Sequence, residues 1–107
     1  MQRYGSVIKL KPDKVDAYKE LHANVWPEVL SMIRACNIRN YSIYIKDGYL
    51  FSYFEYHGDD FDTDMQKMAA DPNTQAWWKL TDPCQEPLET RMQGEWWASM
   101  EEVFHTD

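Results

Sequence analysis

A histidine and a tyrosine one helical turn apart are the first residues in this chain whose types and spacing could do chemistry. They lie in the stretch Val15 to Cys36. Laid out at about 100° per residue, it gathers Val15, Leu21, Val25, Trp26, Val29, Leu30, Met32 and Ile33 on one side. Asp16, Glu20, Asn24, Ser31 and Arg34 take the other side, the pattern of an amphipathic helix facing a core. His22 falls near the middle of the apolar arc, with Tyr18 beside it. An imidazole aimed at a core costs free energy unless it finds a partner there. His22 is therefore either tied to a backbone carbonyl or lines a pocket where it can take and return a proton near neutral pH. Tyr18 either donates a hydrogen bond into the same space or is a core tyrosine with its hydroxyl at the edge.

Trp77 and Trp78 offer a different capability. Adjacent residues on a helix point about 100° apart, so two indoles cannot easily enter one core. One ring is left for a cavity or the surface, and an indole face stacked on a C–H-rich ring is a common way to hold a sugar. The plainer alternative is one core and one semi-exposed tryptophan. Trp96 and Trp97, read as strand residues, should point to opposite faces, one to the core and one to an interface between copies. Of Glu101 and Glu102 near the last strand, one must face inward, which makes Glu102 a further candidate for acid–base work unless it lies on the wet side.

Other chemistries find little support. Four glycines make no phosphate loop, and His22, His57 and His105 have no metal-ligand spacing, so no metal is expected. Cys36 and Cys84 stand far apart with no neighbouring histidine and are expected to be reduced thiols. Eleven basic against eighteen acidic residues give a net charge of -7, with no basic run to offset it. Nucleic acid and anionic lipid would be repelled by such a surface. The N-terminus does not read as a signal peptide, and no apolar run approaches the ~18 residues of a membrane span. The expectation is one soluble, cytoplasmic domain over residues 1–107.

The elements that must position these residues follow from pattern. Arg3 to Leu10 reads as a first strand, stopped at Lys11-Pro12, and Asp13 is a plausible cap for the long helix. Pro27 inside the helical pattern should kink it, setting His22 and Trp26 at an angle an ideal helix would not give, or else break it. Ile38–Lys46 and Tyr49–Tyr56 read as strands joined by Asp47-Gly48, a two-residue hairpin signal that pairs Lys46 with Tyr49. One hairpin face then carries Tyr41, Ile43, Ile45, Leu50, Ser52 and Phe54, and the other Ser42, Tyr44, Tyr49, Phe51 and Tyr53. Neither face is plainly polar, so both need covering, and a homodimer is expected. Asp59 to Ala70 reads as a helix, interrupted at Asp71-Pro72-Asn73 before a short one over Thr74–Leu80. Thr81 to Gly94 reads as a long functional loop, and Ala98–Phe104 as the last strand. Strand, helix, strand, strand, helix, strand is the ferredoxin-like α+β order, βαββαβ, a four-stranded antiparallel sheet with its helices on one face.

Taken together, Tyr18 and His22 four apart, Trp26-Pro27-Glu28, Asn40-Tyr41-x-Ile43-Tyr44, Trp77-Trp78 and the closing Glu102-Val103-Phe104 resemble the L-rhamnose mutarotase family over most of the chain. The resemblance implies a dimeric α/β-barrel that interconverts the α and β anomers of a 6-deoxy-L-hexose without a cofactor. It implies His22 as proton donor and acceptor, and Tyr18, Tyr41, Trp77 and Trp78 as sugar contacts, with Trp26 a further candidate. Residues Asp82 to Gly94 depart from the N-P-D-N-S-P-like loop of rhamnose-type members, so L-fucose stands beside L-rhamnose as the expected sugar. In the expected mechanism His22 protonates the ring oxygen while Tyr41, Glu102 or water handles the anomeric hydroxyl. The rival readings are a monooxygenase or haem-binding protein on the same barrel, and a sugar-binding module without catalysis.

Overall fold

A computed structural model describes residues 1–107. Strand β1 (Gln2–Leu10) turns Ile8 and Leu10 inward, both buried, and Pro12 then opens a single 3-10 turn over Pro12–Lys14. That turn takes the place of the cap expected of Asp13: α1 (Val15–Ala23) begins after Lys14 with no side-chain cap. The single long helix expected across Pro27 is two helices. Trp26 is extended (φ -63°, ψ 136°), and Pro27 is the first residue of α2 (Pro27–Ala35). The cause is local, because a residue before proline is pushed out of the helical region and proline at a first helical position loses no hydrogen bond.

Strands β2 (Ile38–Lys46) and β3 (Tyr49–Tyr56) meet at the expected hairpin. Asp47 and Gly48 have φ of 53° and 79°, as a type I′ turn requires, and Lys46 pairs with Tyr49. One irregularity interrupts the ladder. Arg39 opposes Glu55 and Ser42 opposes Tyr53, so Asn40 and Tyr41 together stand against Phe54, with Asn40 at φ 50°. This β-bulge lets Ile38 and Tyr41 both turn inward.

Helix α3 (Phe61–Ala70) starts on Asp60, whose side chain accepts from the Thr63 amide. Helix α4 (Pro72–Thr81) follows at once, because Asp71 caps it by accepting from the Thr74 amide (2.8 Å) and hydroxyl (2.9 Å). The stretch after Thr81 is more ordered than its irregular sequence suggests. A 3-10 turn over Asp82–Cys84 leads into a two-residue strand, β4 (Gln85–Glu86), and β5 (Ala98–Met100) comes after the remaining loop. The last strand thus stops at Met100 rather than Phe104, and Val103 and Phe104 are 89% and 79% exposed.

The antiparallel sheet runs β2-β3-β1-β4, with β5 also on β1. This is the ferredoxin-like α+β order with its last strand in two pieces. Helices cover one face, where Ile8, Leu10, Leu50, Tyr18 and Cys84 form the core cluster. The opposite face leaves Tyr44, Tyr49 and Phe51 exposed. Both cysteines are free and buried. No helix is long and apolar enough to cross a membrane.

Candidate active site

His22 sits in the last turn of α1, with its Nδ1 2.8 Å from the carbonyl oxygen of Tyr18. A carbonyl only accepts, so Nδ1 carries the hydrogen, and in the neutral ring Nε2 is left with a bare lone pair. The imidazole stacks on the Tyr18 ring at 4.1 Å and 9° and meets the edge of Trp77 at 5.5 Å. Both readings of this histidine therefore hold at once: one nitrogen is tied to the backbone, and the ring lines a cavity.

That cavity, about 330 Å³, lies between the inner face of the sheet and α1, α2, α3 and α4. Val29, Ile33, Ile43, Met65 and Met68 give it an aliphatic lining, while Tyr18, His22, Tyr41, Trp77 and Trp78 line it together. An apolar recess with a few polar groups, near the lower end of the ~300–1,000 Å³ typical of small-molecule sites, suits one saturated ring rather than a macrocycle.

Each side chain owes its place to a local device. The bulge brings Tyr41 in, edge-on to Phe54 at 5.6 Å. Burial pushes the Tyr41 hydroxyl above the usual phenol range, although the residue as a whole is 42% exposed. Tyr18 is 4% exposed, and burial raises its hydroxyl far above the usual range, partly opposed by a hydrogen bond from Gln85. Before any substrate enters, it therefore stands as a neutral phenol with a proton to give. The Asp71 cap starts α4 so that Trp77 is buried while Trp78 stays 37% exposed.

Two candidates stand elsewhere. Trp26 packs edge-on against Trp77 at 5.3 Å and lines a separate groove, so it supports the site from behind and does not line the cavity. Glu102 accepts two hydrogen bonds from Arg3, at 2.9 and 3.2 Å, outside the cavity. With β5 ending at Met100, it is not on the inner face of a strand.

The cavity also includes residues that periodicity did not single out. Gln85 is buried on β4, where Leu10 pairs with it, and its Nε2 donates to the Tyr18 hydroxyl at 3.1 Å. Trp96 and Trp97 precede β5 rather than belonging to it, and Trp96 Nε1 donates to Gln85 Oε1 at 2.8 Å while the residue stays 43% exposed. Trp97 lines the same cavity and packs on the core cluster. Asp82 reaches the cavity with its carboxyl raised by burial. For Asp82 and Gln85 the only available signal was the stretch after Thr81 as a whole, an irregular run too long to be idle. No group of three or more His, Cys, Asp or Glu side chains gathers to hold a metal ion.

Against known proteins, the family model described as L-rhamnose mutarotase matches residues 3–106. The L-rhamnose mutarotase of Oceanobacillus iheyensis is 30% identical over 115 aligned positions, spanning 100% of both chains. The crystal structure of an L-rhamnose mutarotase from Formosa agariphila has a TM-score of 0.77 at 23% identity and covers 100% of both chains. Tetracenomycin F2 cyclase of Streptomyces glaucescens gives a TM-score of 0.75 at 11% identity, over 100% of this chain and 98% of that one. At these identities the two structural likenesses speak for the fold, which serves more than one chemistry.

Proposed function

Because this chain belongs to the L-rhamnose mutarotase family, we propose that it interconverts the α and β anomers of a 6-deoxy-L-hexose by acid–base ring opening, with no cofactor. The observation that carries the mechanism is the 2.8 Å contact between His22 Nδ1 and the Tyr18 carbonyl oxygen, which leaves Nε2 of the neutral ring free to take a proton.

Neutral His22 has a lone pair to offer, not a proton. It therefore takes the proton of the anomeric hydroxyl as the C1–O5 bond breaks and C1 becomes an aldehyde. The departing ring oxygen gains its proton from the Tyr18 hydroxyl, which lies beside the imidazole. Rotation about C1–C2 presents the other carbonyl face. Closure reverses both transfers, the imidazolium returning its proton to the former carbonyl oxygen and the phenolate taking one from O5. No proton is gained or lost over the cycle. Two positioned groups suffice for such chemistry, with His22 acting on the anomeric hydroxyl rather than the ring oxygen.

Trp77 and Trp78 would supply the stacking surface and Tyr41 a hydroxyl for the sugar's polar edge. The aliphatic lining favours a sugar with a methyl group at C6, and both L-rhamnose and L-fucose have one. The exposed Tyr44, Tyr49 and Phe51 support a homodimer formed on the outer sheet face, and a cytoplasmic location suits an enzyme that acts on a free sugar. Saturation-transfer proton NMR on the anomeric signals of equilibrated L-rhamnose and L-fucose tests the proposal. Faster exchange for at least one sugar is expected, and exchange at the buffer rate for both would overturn it.

A further inference from the structure

The direction of every hydrogen bond behind Tyr18 is set by one indole. Trp96 Nε1 can only donate, so the oxygen of Gln85 must face it, and the two are 2.8 Å apart. The amide nitrogen of Gln85 is then forced toward Tyr18, 3.1 Å from the phenol oxygen. That oxygen is an acceptor in this bond, and the hydroxyl makes no other hydrogen bond within the chain. Its own hydrogen is left for the cavity that Tyr18 lines. Were Gln85 reversed, its oxygen would attract the Tyr18 hydrogen away from the cavity and its NH₂ would face the indole N–H, donor against donor.

We propose that Gln85 is a positioning residue, locked by Trp96, that holds Tyr18 as a hydrogen-bond donor toward the substrate. The proposal deepens the mutarotase reading and rests on it. Gln85 is well placed for the task. It is 5% exposed, it pairs with Leu10 through β4, and the Lys11 amide bonds the neighbouring Cys84 carbonyl at 2.9 Å, so its backbone is fixed to the end of β1. Trp96 stands immediately before the residues leading into β5, which is anchored further along the same strand. The two short strands thus hold the two ends of the relay. The Gln85 amide also stabilises the phenolate that Tyr18 becomes midway through ring opening.

The test is Gln85→Glu, with Gln85→Leu and Tyr18→Phe beside it. An ionised carboxylate at position 85 accepts from both neighbours, so the Tyr18 hydrogen turns away from the cavity. The protonated acid can still accept from Trp96 and donate to Tyr18, restoring the native direction. Anomer exchange by Gln85→Glu should therefore fall by about 10²-fold at alkaline pH, the scale of losing one aligned donor, and approach wild type as pH falls. Dividing by the wild-type rate at each pH removes every titration the two proteins share. Gln85→Leu, which cannot titrate, should show a reduced ratio that is flat with pH, and Tyr18→Phe should lose at least as much activity as Gln85→Glu at alkaline pH. A ratio for Gln85→Glu that is flat with pH would overturn the relay while leaving the mutarotase reading intact, as would a Tyr18→Phe variant of wild-type activity. Absence of acceleration by the wild type itself would overturn both.

Discussion

Replacing His22 by Asn separates what this ring does for the reaction from what it does for the fold. On the folding side, the change removes one hydrogen bond to the Tyr18 carbonyl, a net contribution of about 0.5–1.5 kcal/mol. It also removes a stack at 4.1 Å on Tyr18 and an edge contact at 5.5 Å with Trp77; aromatic pairs are worth about 0.5–1.5 kcal/mol each, with an imidazole toward the low end. The sum is roughly 2 kcal/mol, which in a domain of this size lowers Tm by about 10 °C. The carbonyl is not left bare, because it still accepts the helical i→i+4 bond. On the reaction side, the loss of a positioned base costs about 10²–10⁴-fold, or roughly 3–5 kcal/mol at 1.36 kcal/mol per decade. Anomer exchange at 25 °C by saturation transfer and Tm by circular dichroism read the two effects separately. The expected variant is folded and nearly inactive. A folded His22→Asn protein within threefold of wild type would refute the assignment of His22 as base, as would an activity loss no larger than the fraction unfolded.

Other substitutions test the surroundings. Trp77→Ala empties a buried site against which both Trp26 and His22 pack, and should cost about 3–5 kcal/mol of stability by denaturant titration. Trp78→Ala, at a side chain 37% exposed, should leave Tm within a few degrees while raising KM for the sugar. Tyr44→Lys combined with Phe51→Lys places two charges on the exposed sheet face and should give a folded monomer by light scattering, against the dimer expected of the wild type. The Asp64 carboxyl is held below its ordinary value of 3.8 by a hydrogen bond from the Tyr56 hydroxyl and another from Asn37. A depressed folded-state pKa adds stability that is fully present above the unfolded value and is lost as pH falls through the folded one. Tyr56→Phe should therefore lower Tm at neutral pH and flatten its fall below about pH 4, measured as Tm against pH.

Local chemistry made much of this legible. Asp47-Gly48 specified a turn that only positive φ at both positions satisfies, and that turn alone set the register of six inward and five outward hairpin residues. His22 and Tyr18 were visible because a helix places residues four apart on one face, so a polar ring on an apolar arc stands out. Pro27 announced a disturbance without revealing its kind: kink and break share the same missing N–H, and the difference lies in whether Trp26 leaves the helical region, as it does here. Glu102 misled for the opposite reason. A strand pattern continued through it, yet its carboxylate met Arg3, 99 residues earlier, a pairing no local pattern encodes. Gln85 and Trp96 were illegible because each has meaning only through the other, and they are brought together by two strands too short to show a period.

The bulge at Asn40 and Tyr41 has a consequence for how β2 tolerates change in length. A strand assigns sides by parity, and in an unbulged strand of this sequence Ile38 and Tyr41, three apart, would lie on opposite faces. The inserted position resets the count midway, so an even-numbered Ile38 and odd-numbered Tyr41 and Ile43 share the inner side. Deleting Asn40 would restore strict alternation with Ile38 and Tyr41 two apart, both still on the inner side and every other pairing kept. The bulge is thus the one place where β2 can lose a residue without reversing a face, whereas a single residue inserted there would turn one flank over.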